Sequence, residues 1–212
     1  MCGRYTVRDT QAVQREYGAV IEPSYNVAPS QDVLVVTDKA ETMNWHYSPT
    51  WAKEPMNLIN ARSETLKEKP SFKMAKRCLI VADGWFEWLS DGDIKQPYFF
   101  HMNNSLFTFA GIYTEYRGIK GCAVITKEAN EMLSKIHNRM PVMLKHNEGR
   151  DWLNGKDVYS SSLSERIEYY QVSTVVNSPS NNIPECIKPL EFPSAVDDCA
   201  DVTSGYDRDN YE

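Results

Sequence analysis

Short apolar runs bounded by turn-forming residues recur along the whole chain. Val33 to Thr37, Met43 to Tyr47, Cys78 to Ala82, Pro97 to His101, Leu106 to Gly111, Cys122 to Thr126 and Tyr169 to Ser173 carry the β-branched and aromatic residues that suit a pleated surface, and they predict a sheet-rich core. Helical spacing is rarer. It occurs over Thr10 to Tyr17, Ser63 to Glu68, Ser71 to Lys76, and Lys127 to Ile136, the last with Thr126 placed to cap it. The predicted class is α+β, with mixed or antiparallel strands and a few peripheral helices. There is no internal repeat and no glycine-rich phosphate loop of either common spacing, which argues against nucleotide-driven chemistry.

With 212 residues, 42% of them hydrophobic, the chain can bury one good core, and a single domain over residues 1–190 is expected. No stretch approaches the roughly 20 apolar residues that span a bilayer, and the N-terminus lacks the basic and apolar regions of a signal peptide. A soluble, cytoplasmic protein with no membrane partner is the expectation. The five cysteines are scattered, without C-x-x-C spacing, and the four histidines show no ligand spacing either, so neither a disulfide framework nor a metal is predicted.

The formal charge of −6 is unevenly placed. Residues 193–212 hold Asp197, Asp198, Asp201, Asp207, Asp209 and Glu212 against Arg208 alone, so most of the excess lies in the segment 191–212, read as an acidic, flexible tail. Arg62 to Arg77, by contrast, holds six basic residues against Glu64 and Glu68. That stretch is either a solvated helix face or a basic patch for a polyanion.

Candidate chemistry begins at the first residues, Met1-Cys2-Gly3-Arg4. Removing Met1 would leave a cysteine with its thiol and a free α-amine on adjacent carbons. The amine titrates near about 8 and the thiol near about 8.5, so both are partly nucleophilic at neutral pH. Together they trap an aldehyde, the amine as a Schiff base and the sulfur by closing a five-membered thiazolidine. Further along, Ser24 to Pro29 reads bare as a turn around Asn26. Asn60 and Arg62 share a face if the chain is extended there, and lead into a predicted helix whose N-terminus would attract phosphate. Asn60 either orients a reacting group or satisfies backbone at a turn. Glu87 sits among Trp85, Phe86 and Trp88: either it faces solvent from a half-buried strand, or desolvation raises its pKa until it can shuttle protons near neutrality. His137, beside Arg139, falls where the chain turns from helix to strand, and is either structural or part of an anion site.

Taken together, Met1-Cys2-Gly3-Arg4, Tyr25-Asn26-Val27-Ala28-Pro29, Ile59-Asn60-Ala61-Arg62-Ser63-Glu64, Ala82-Asp83-Gly84-Trp85-Phe86-Glu87-Trp88, His137-Asn138-Arg139-Met140-Pro141 and Val176-Asn177-Ser178-Pro179 resemble the pattern of the SRAP family, the SOS-response-associated peptidases or abasic-site processing proteins. The resemblance spans residues 1 to about 190. It implies a pseudo-barrel with a cleft for single-stranded DNA, and a self-inflicted thiazolidine crosslink between Cys2 and the ring-opened aldehyde of an abasic site. By the same resemblance Asn60 orients the amine or the sugar, Glu87 moves protons during imine formation and ring closure, and His137 is acid or base on the sugar oxygen. Arg4, Asn26, Arg62 and Arg139 would be DNA contacts, the arginines to phosphates. Trp45 and Trp51 would stack on bases, or else pack in the core. No cofactor is implied, and the protein is expected to act as a monomer, nucleoid-associated in a bacterium. The chain departs from the family where Trp45-His46-Tyr47-Ser48-Pro49-Thr50-Trp51 replaces a Trp-Gly-Leu-Ile/Val-Pro run, and at Ala52, where some members carry an aromatic.

Two other readings fit the bare residues. An N-terminal-nucleophile hydrolase or glutamine amidotransferase also starts on Cys-Gly, although Arg4 stands where that pattern takes an apolar residue. A noncatalytic reader of single-stranded or modified DNA would use the basic stretch and the tryptophans alone.

Overall fold

The structure is a computed structural model that describes residues 2–103, 105–160 and 162–190; the acidic segment 191–212 lies outside the described residues. The strands in chain order are β1 (Arg4–Val7), β2 (Ser24–Val27), β3 (Asp32–Val36), β4 (Ala40–Asn44), β5 (Asn60–Arg62), β6 (Lys76–Ala82) and β7 (Gly84–Asp91). They continue with β8 (Ile94–His101), β9 (Phe107–Tyr116), β10 (Ile119–Glu128), β11 (Arg139–Pro141), β12 (Met143–Leu144) and β13 (Glu168–Gln171). Helices α1 (Thr10–Tyr17), α2 (Glu131–Ser134) and α3 (His146–Leu153) lie at the periphery.

The strands form two sheets. In the larger, β10, β4, β3, β6 and β9 pair in turn and β9 pairs back to β10, which closes a five-stranded barrel. Closure leaves those five strands without a free edge on that circuit. β10 is ten residues long and serves several neighbours: β9 antiparallel, β4 and β5 parallel, and β11 at its far end. The smaller sheet, in the order β13-β8-β7-β1-β2, is antiparallel throughout. The expected sheet-rich α+β pseudo-barrel is therefore present.

Aromatic residues join the two sheets. The Tyr5 ring meets Trp45 at 5.2 Å and Phe109 at 5.9 Å, both edge-on, while Trp85 stacks on Phe100 at 5.1 Å. A second cluster lies under α3, whose buried Trp152 donates its indole N–H to the carbonyls of Cys78 and Gly111. The outer face of the smaller sheet is covered by residues 172–187, through Val172, Val176 and Cys186 against Phe86 and Phe99.

Local sequence explains several boundaries. Asp9 caps α1 by accepting from the Ala12 N–H, and Gly18 ends it in the left-handed region at φ 66°. At the β9–β10 turn, Arg117 and Gly118 both take positive φ, the backbone of a two-residue hairpin loop.

Other expectations need correction. Ser24 to Pro29 is not a turn: its first four residues are β2, paired with β1. Ser63 to Glu68 and Ser71 to Lys76 make only single 3₁₀ turns, at Ser63–Thr65 and Pro70–Phe72. A three-residue turn carries too few aligned peptides to hold a phosphate by its dipole. Lys127 continues β10, and α2 starts after Asn130, whose side chain accepts from the Leu133 N–H, so Asn130 rather than Thr126 is the cap.

The His46 departure is absorbed without backbone strain, since His46 is not among the residues with positive φ. The crowding appears opposite it, where a Cβ added to Gly121 would sit 2.1 Å from the His46 carbonyl oxygen. Gly121 faces Asn44 at the point where β10 joins β4 and closes the barrel. Gly121→Ala should therefore cost about 1–3 kcal/mol, as overpacking does. A lowered denaturant midpoint is the expected measurement, and an unchanged midpoint would mean that the loop carrying His46 yields.

Candidate active-site cleft

β1 pairs antiparallel with β7, Arg4 opposite Phe86 and Tyr5 opposite Trp85. Continuing that register sets Gly3 across from Glu87, which brings Cys2 beside the carboxyl. The junction is pinned at its other end by Asp83, on the corner where the chain leaves the barrel strand β6 for β7. Asp83 is buried and accepts from the Thr6 hydroxyl, from the backbone N–H of Arg8 at 2.6 Å and of Asp9 at 3.3 Å, and from the Arg8 Nε at 3.0 Å. On the barrel side, β5 runs parallel to β10 and sets Asn60 next to Val124. Asn60 Nδ2 donates to the Cys2 carbonyl at 2.9 Å, while its Oδ1 is buried with no hydrogen-bond partner among the described residues.

Glu87 does not face solvent. It is 2% exposed, and burial lifts its carboxyl from the ordinary range to about 7. Cys2 is fully buried, and desolvation, followed by the nearby Glu87 carboxylate, pushes its thiol well up. His137 Nδ1 lies 4.0 Å from Glu87 Oε2. Burial lowers the histidine below its ordinary range, so at neutral pH a mostly neutral imidazole faces a carboxyl that is about half ionised, rather than forming a full ion pair. His137 Nδ1 lies 3.0 Å from the Arg139 backbone N–H and 3.2 Å from the Arg139 carbonyl oxygen, so both contacts hold the ring against the start of β11.

Glu87 and His137 border a solvent-open cleft of about 520 Å³, also lined by Arg4, Trp88, Ser90, Lys95 and Asn177. Most of its lining comes from the smaller sheet and the segment covering it, and His137, just ahead of β11, joins them. Cys2, Asn60, Glu87 and His137 thus converge from four separate stretches of chain.

The predicted DNA contacts divide. Arg62 is exposed at the end of β5 and has no side-chain partner among the described residues. Trp51 is 57% exposed, with its indole N–H 3.4 Å from the Pro70 carbonyl, so one ring face is available for stacking. Trp45 is a correction: it is fully buried, packs on Tyr5 and donates to the Ile59 carbonyl at 3.0 Å, so it cannot reach a base. Asn26 is a second correction. It is 1% exposed and its Nδ2 meets the carbonyls of Val176, Ser178 and Asn181 at 2.9–3.1 Å, which ties β2 to the covering segment and leaves no DNA contact. Arg139 grips Glu64 through both Nη atoms, at 2.8 and 2.9 Å, and this pairing drops Glu64 to about 2. A phosphate at Arg139 would have to displace that carboxylate. The basic stretch is also partly neutralised, since Lys67 and Arg77 both pair with Asp157.

Sequence reasoning assigned no role to Trp88, Lys95 or Asn177. Trp88 and Asn177 stand within motifs quoted above, whereas nothing in the local pattern marks Lys95.

A closed barrel with a second sheet laid against it, and a cysteine at position 2 held beside a buried carboxyl and a histidine, defines the class of site. The model for SOS response associated peptidase (SRAP) matches residues 1–179, and the chain belongs to that family. It is 38% identical to Bacillus subtilis YoqW, named an abasic site processing protein, over 89% of this chain and 99% of that one. It is 31% identical to Escherichia coli YedK, of the same description, over 90% and 100% of the two chains. It is 32% identical to the Gallus gallus protein HMCES, also so named, over 80% of this chain and 67% of that one. Among solved structures, a Bacteroides thetaiotaomicron protein superposes with a TM-score of 0.74 at 24% identity, covering 90% of this chain and all of the other, which establishes the common fold.

Proposed function

We propose that this protein captures abasic sites in single-stranded DNA as a covalent thiazolidine through Cys2, once loss of Met1 has freed the α-amine. The observation that carries the reading is the placement of Cys2 against a carboxyl lifted to about 7, with Asn60 on its carbonyl and His137 beside that carboxyl. The names of the relatives point to the same lesion.

The geometry orders the steps. Burial keeps the thiol protonated, so the amine attacks first, on the C1′ aldehyde of the ring-opened sugar. His137 acts as acid or base at the sugar ring oxygen. Protonated Glu87 gives its proton to the carbinolamine hydroxyl, water leaves and an iminium forms that keeps the amine's remaining proton. The carboxylate then takes the thiol proton as sulfur adds to the iminium carbon. The iminium nitrogen becomes the neutral ring N–H as sulfur adds, and the adduct is protein plus DNA minus one water. The open Asn60 Oδ1 is an acceptor for the free amine. Exposed Trp51 and Arg62 suit a strand whose bases are unpaired. Any peptidase action is confined to the Met1–Cys2 bond.

The test incubates untagged protein and Cys2→Ala with single-stranded DNA bearing one abasic site, followed by a denaturing gel and intact mass measurement. A shifted band for wild type alone, at the mass of Met1-free protein plus DNA minus water, is expected. Absence of adduct from protein whose Met1 is confirmed lost would overturn the proposal.

A further inference from the structure

A recess of about 440 Å³ opens between the end of α1, the end of β3 and α3, and it shares no lining residue with the cleft that holds Glu87 and His137. That volume falls within the roughly 300–1,000 Å³ of small-molecule sites. Val36, Leu79, Phe107, Leu144 and Leu163 give it apolar walls, which Leu106, Leu153 and the Tyr17 ring complete. Helix α3 lies close over them because Gly149 has no side chain: an added Cβ would stand 2.9 Å from Leu79 Cδ1. The charged lining is unevenly divided, with Lys145 and Arg150 on the α3 side and Glu16 on α1. Arg150 Nη2 lies 2.9 Å from Nε2 of His146, which also lines the recess. A guanidinium only donates, so Nε2 accepts and that imidazole is neutral. No carboxylate among the described residues offsets the Arg150 charge. The two threonines are engaged already: Thr37 faces the carboxylates of Asp38 and Glu41, each at 2.9 Å, and Thr108 the Leu144 carbonyl at 3.5 Å. Burial, and then the Glu16 carboxylate, push the Tyr17 hydroxyl up to about 12, so it stays protonated, and it has no hydrogen-bond partner among the described residues.

We infer that this recess binds a small amphipathic carboxylate, with its aliphatic body against the leucines and its head group on Arg150 at the α3 side. The walls supply the apolar surface that such a body needs, and burying it is what drives binding. The choice of head group follows from the lining charges. Two cations stand against Glu16, and the guanidinium fork matches a carboxylate in shape as well as in sign. A neutral head would leave the Arg150 charge unanswered, and an ammonium would have Glu16 for it and both cations against it. The recess contains none of the residues assigned to aldehyde capture, so its occupancy is a second binding property of the chain, separate from the first.

Titration of the full-length, isotope-labelled protein with octanoate, followed by NMR at concentrations below micelle formation, tests the site. Saturable shifts of the Leu79, Leu144 and Leu163 amides are expected. Hexanoate should bind about 15-fold more weakly, about fourfold for each methylene withdrawn from the walls. Octylamine, with the same chain and the opposite charge, should bind at least about tenfold more weakly than octanoate. Arg150→Ala should weaken octanoate binding about tenfold through loss of a charge-assisted contact, and Glu16→Gln should tighten it about twofold. Leu106→Trp fills the recess and should abolish binding. If that variant does not fold, the chain-length series and Arg150→Ala decide the matter. Octylamine binding as tightly as octanoate would overturn the carboxylate assignment, as would an Arg150→Ala protein that melts and binds as wild type does. Absence of any saturable shift in wild type would overturn the site itself.

Discussion

Glu87→Gln should slow crosslinking by about 10²- to 10⁴-fold near neutral pH, the range for loss of a positioned proton donor, while making the folded protein more stable above pH 7. Opposite signs for activity and stability follow from a single cause. The buried carboxyl holds its proton until about pH 7, whereas in the unfolded chain it releases it near 4.5. Between those two values the unfolded state ionises and the folded state does not, so wild-type stability falls as pH rises through this window and stays reduced above it. At 1.36 kcal/mol per pK unit the full penalty is on the order of 3 kcal/mol. Glutamine is nearly isosteric and does not titrate, so its stability should be flat over the same range. The rate profiles should also differ. Wild type requires a protonated Glu87 and an unprotonated amine, with pKa values near about 7 and about 8, so its rate should peak between them and fall on both sides. The variant's residual rate should instead rise with pH to a plateau as the amine deprotonates. Stopped crosslinking assays and chemical denaturation from pH 5 to 9 would check both. Equal rates for the two proteins would remove Glu87 from the chemistry, and equal stabilities would show that its carboxyl is not buried in solution.

Asp83→Ala should produce the largest loss of stability, about 3–5 kcal/mol, the usual effect of removing one member of a buried charge pair. Arg8, whose side chain is 16% exposed, would lose its carboxylate, and the Thr6 hydroxyl with two backbone N–H groups would lose their acceptor. For a domain of this size the melting temperature should drop by about 10 °C or more. The effect should reach the site as well, because Asp83 anchors β1, the strand that presents Cys2 to Glu87. Calorimetry alongside crosslinking at 15 °C, where the variant is still folded, would separate the two consequences. Asp83→Asn, which retains one acceptor, should fall between wild type and alanine. A melting temperature within about 2 °C of wild type for Asp83→Ala would show that water replaces the carboxylate at this corner.

How legible the molecule was in its sequence depends on the range of the interactions involved. The strands whose hydrophobic runs are self-contained, such as Val33 to Thr37 and Cys78 to Ala82, correspond to β3 and β6, and the capped run Thr10 to Tyr17 is helix α1. Where the pattern was weak, the neighbours decided. Ser24 to Val27 became a strand because β1 was there to pair with it, and Lys127 stayed extended because β11 continued the ladder. Helix α3 carried little local signal, with Gly149 in its middle, and it is held by Trp152 donating into two strands of the barrel.

The sequence by itself determined the chemistry available: a cysteine one residue from the start, the order of motifs that marks the SRAP family, and the α+β class, all carried by residue identity and short-range spacing. Only the tertiary structure decided which of two roles each ambiguous residue plays. Trp45 and Asn26 went to the interior, Arg139 to Glu64, and Glu87 into a buried position beside Cys2. The reason is that burial and partnership are properties of the space between chain segments. Glu87 has its raised pKa because it is buried where β7 packs beside β1, and Asn177 is held by Trp88, 89 positions away in sequence, through the segment packed over the smaller sheet.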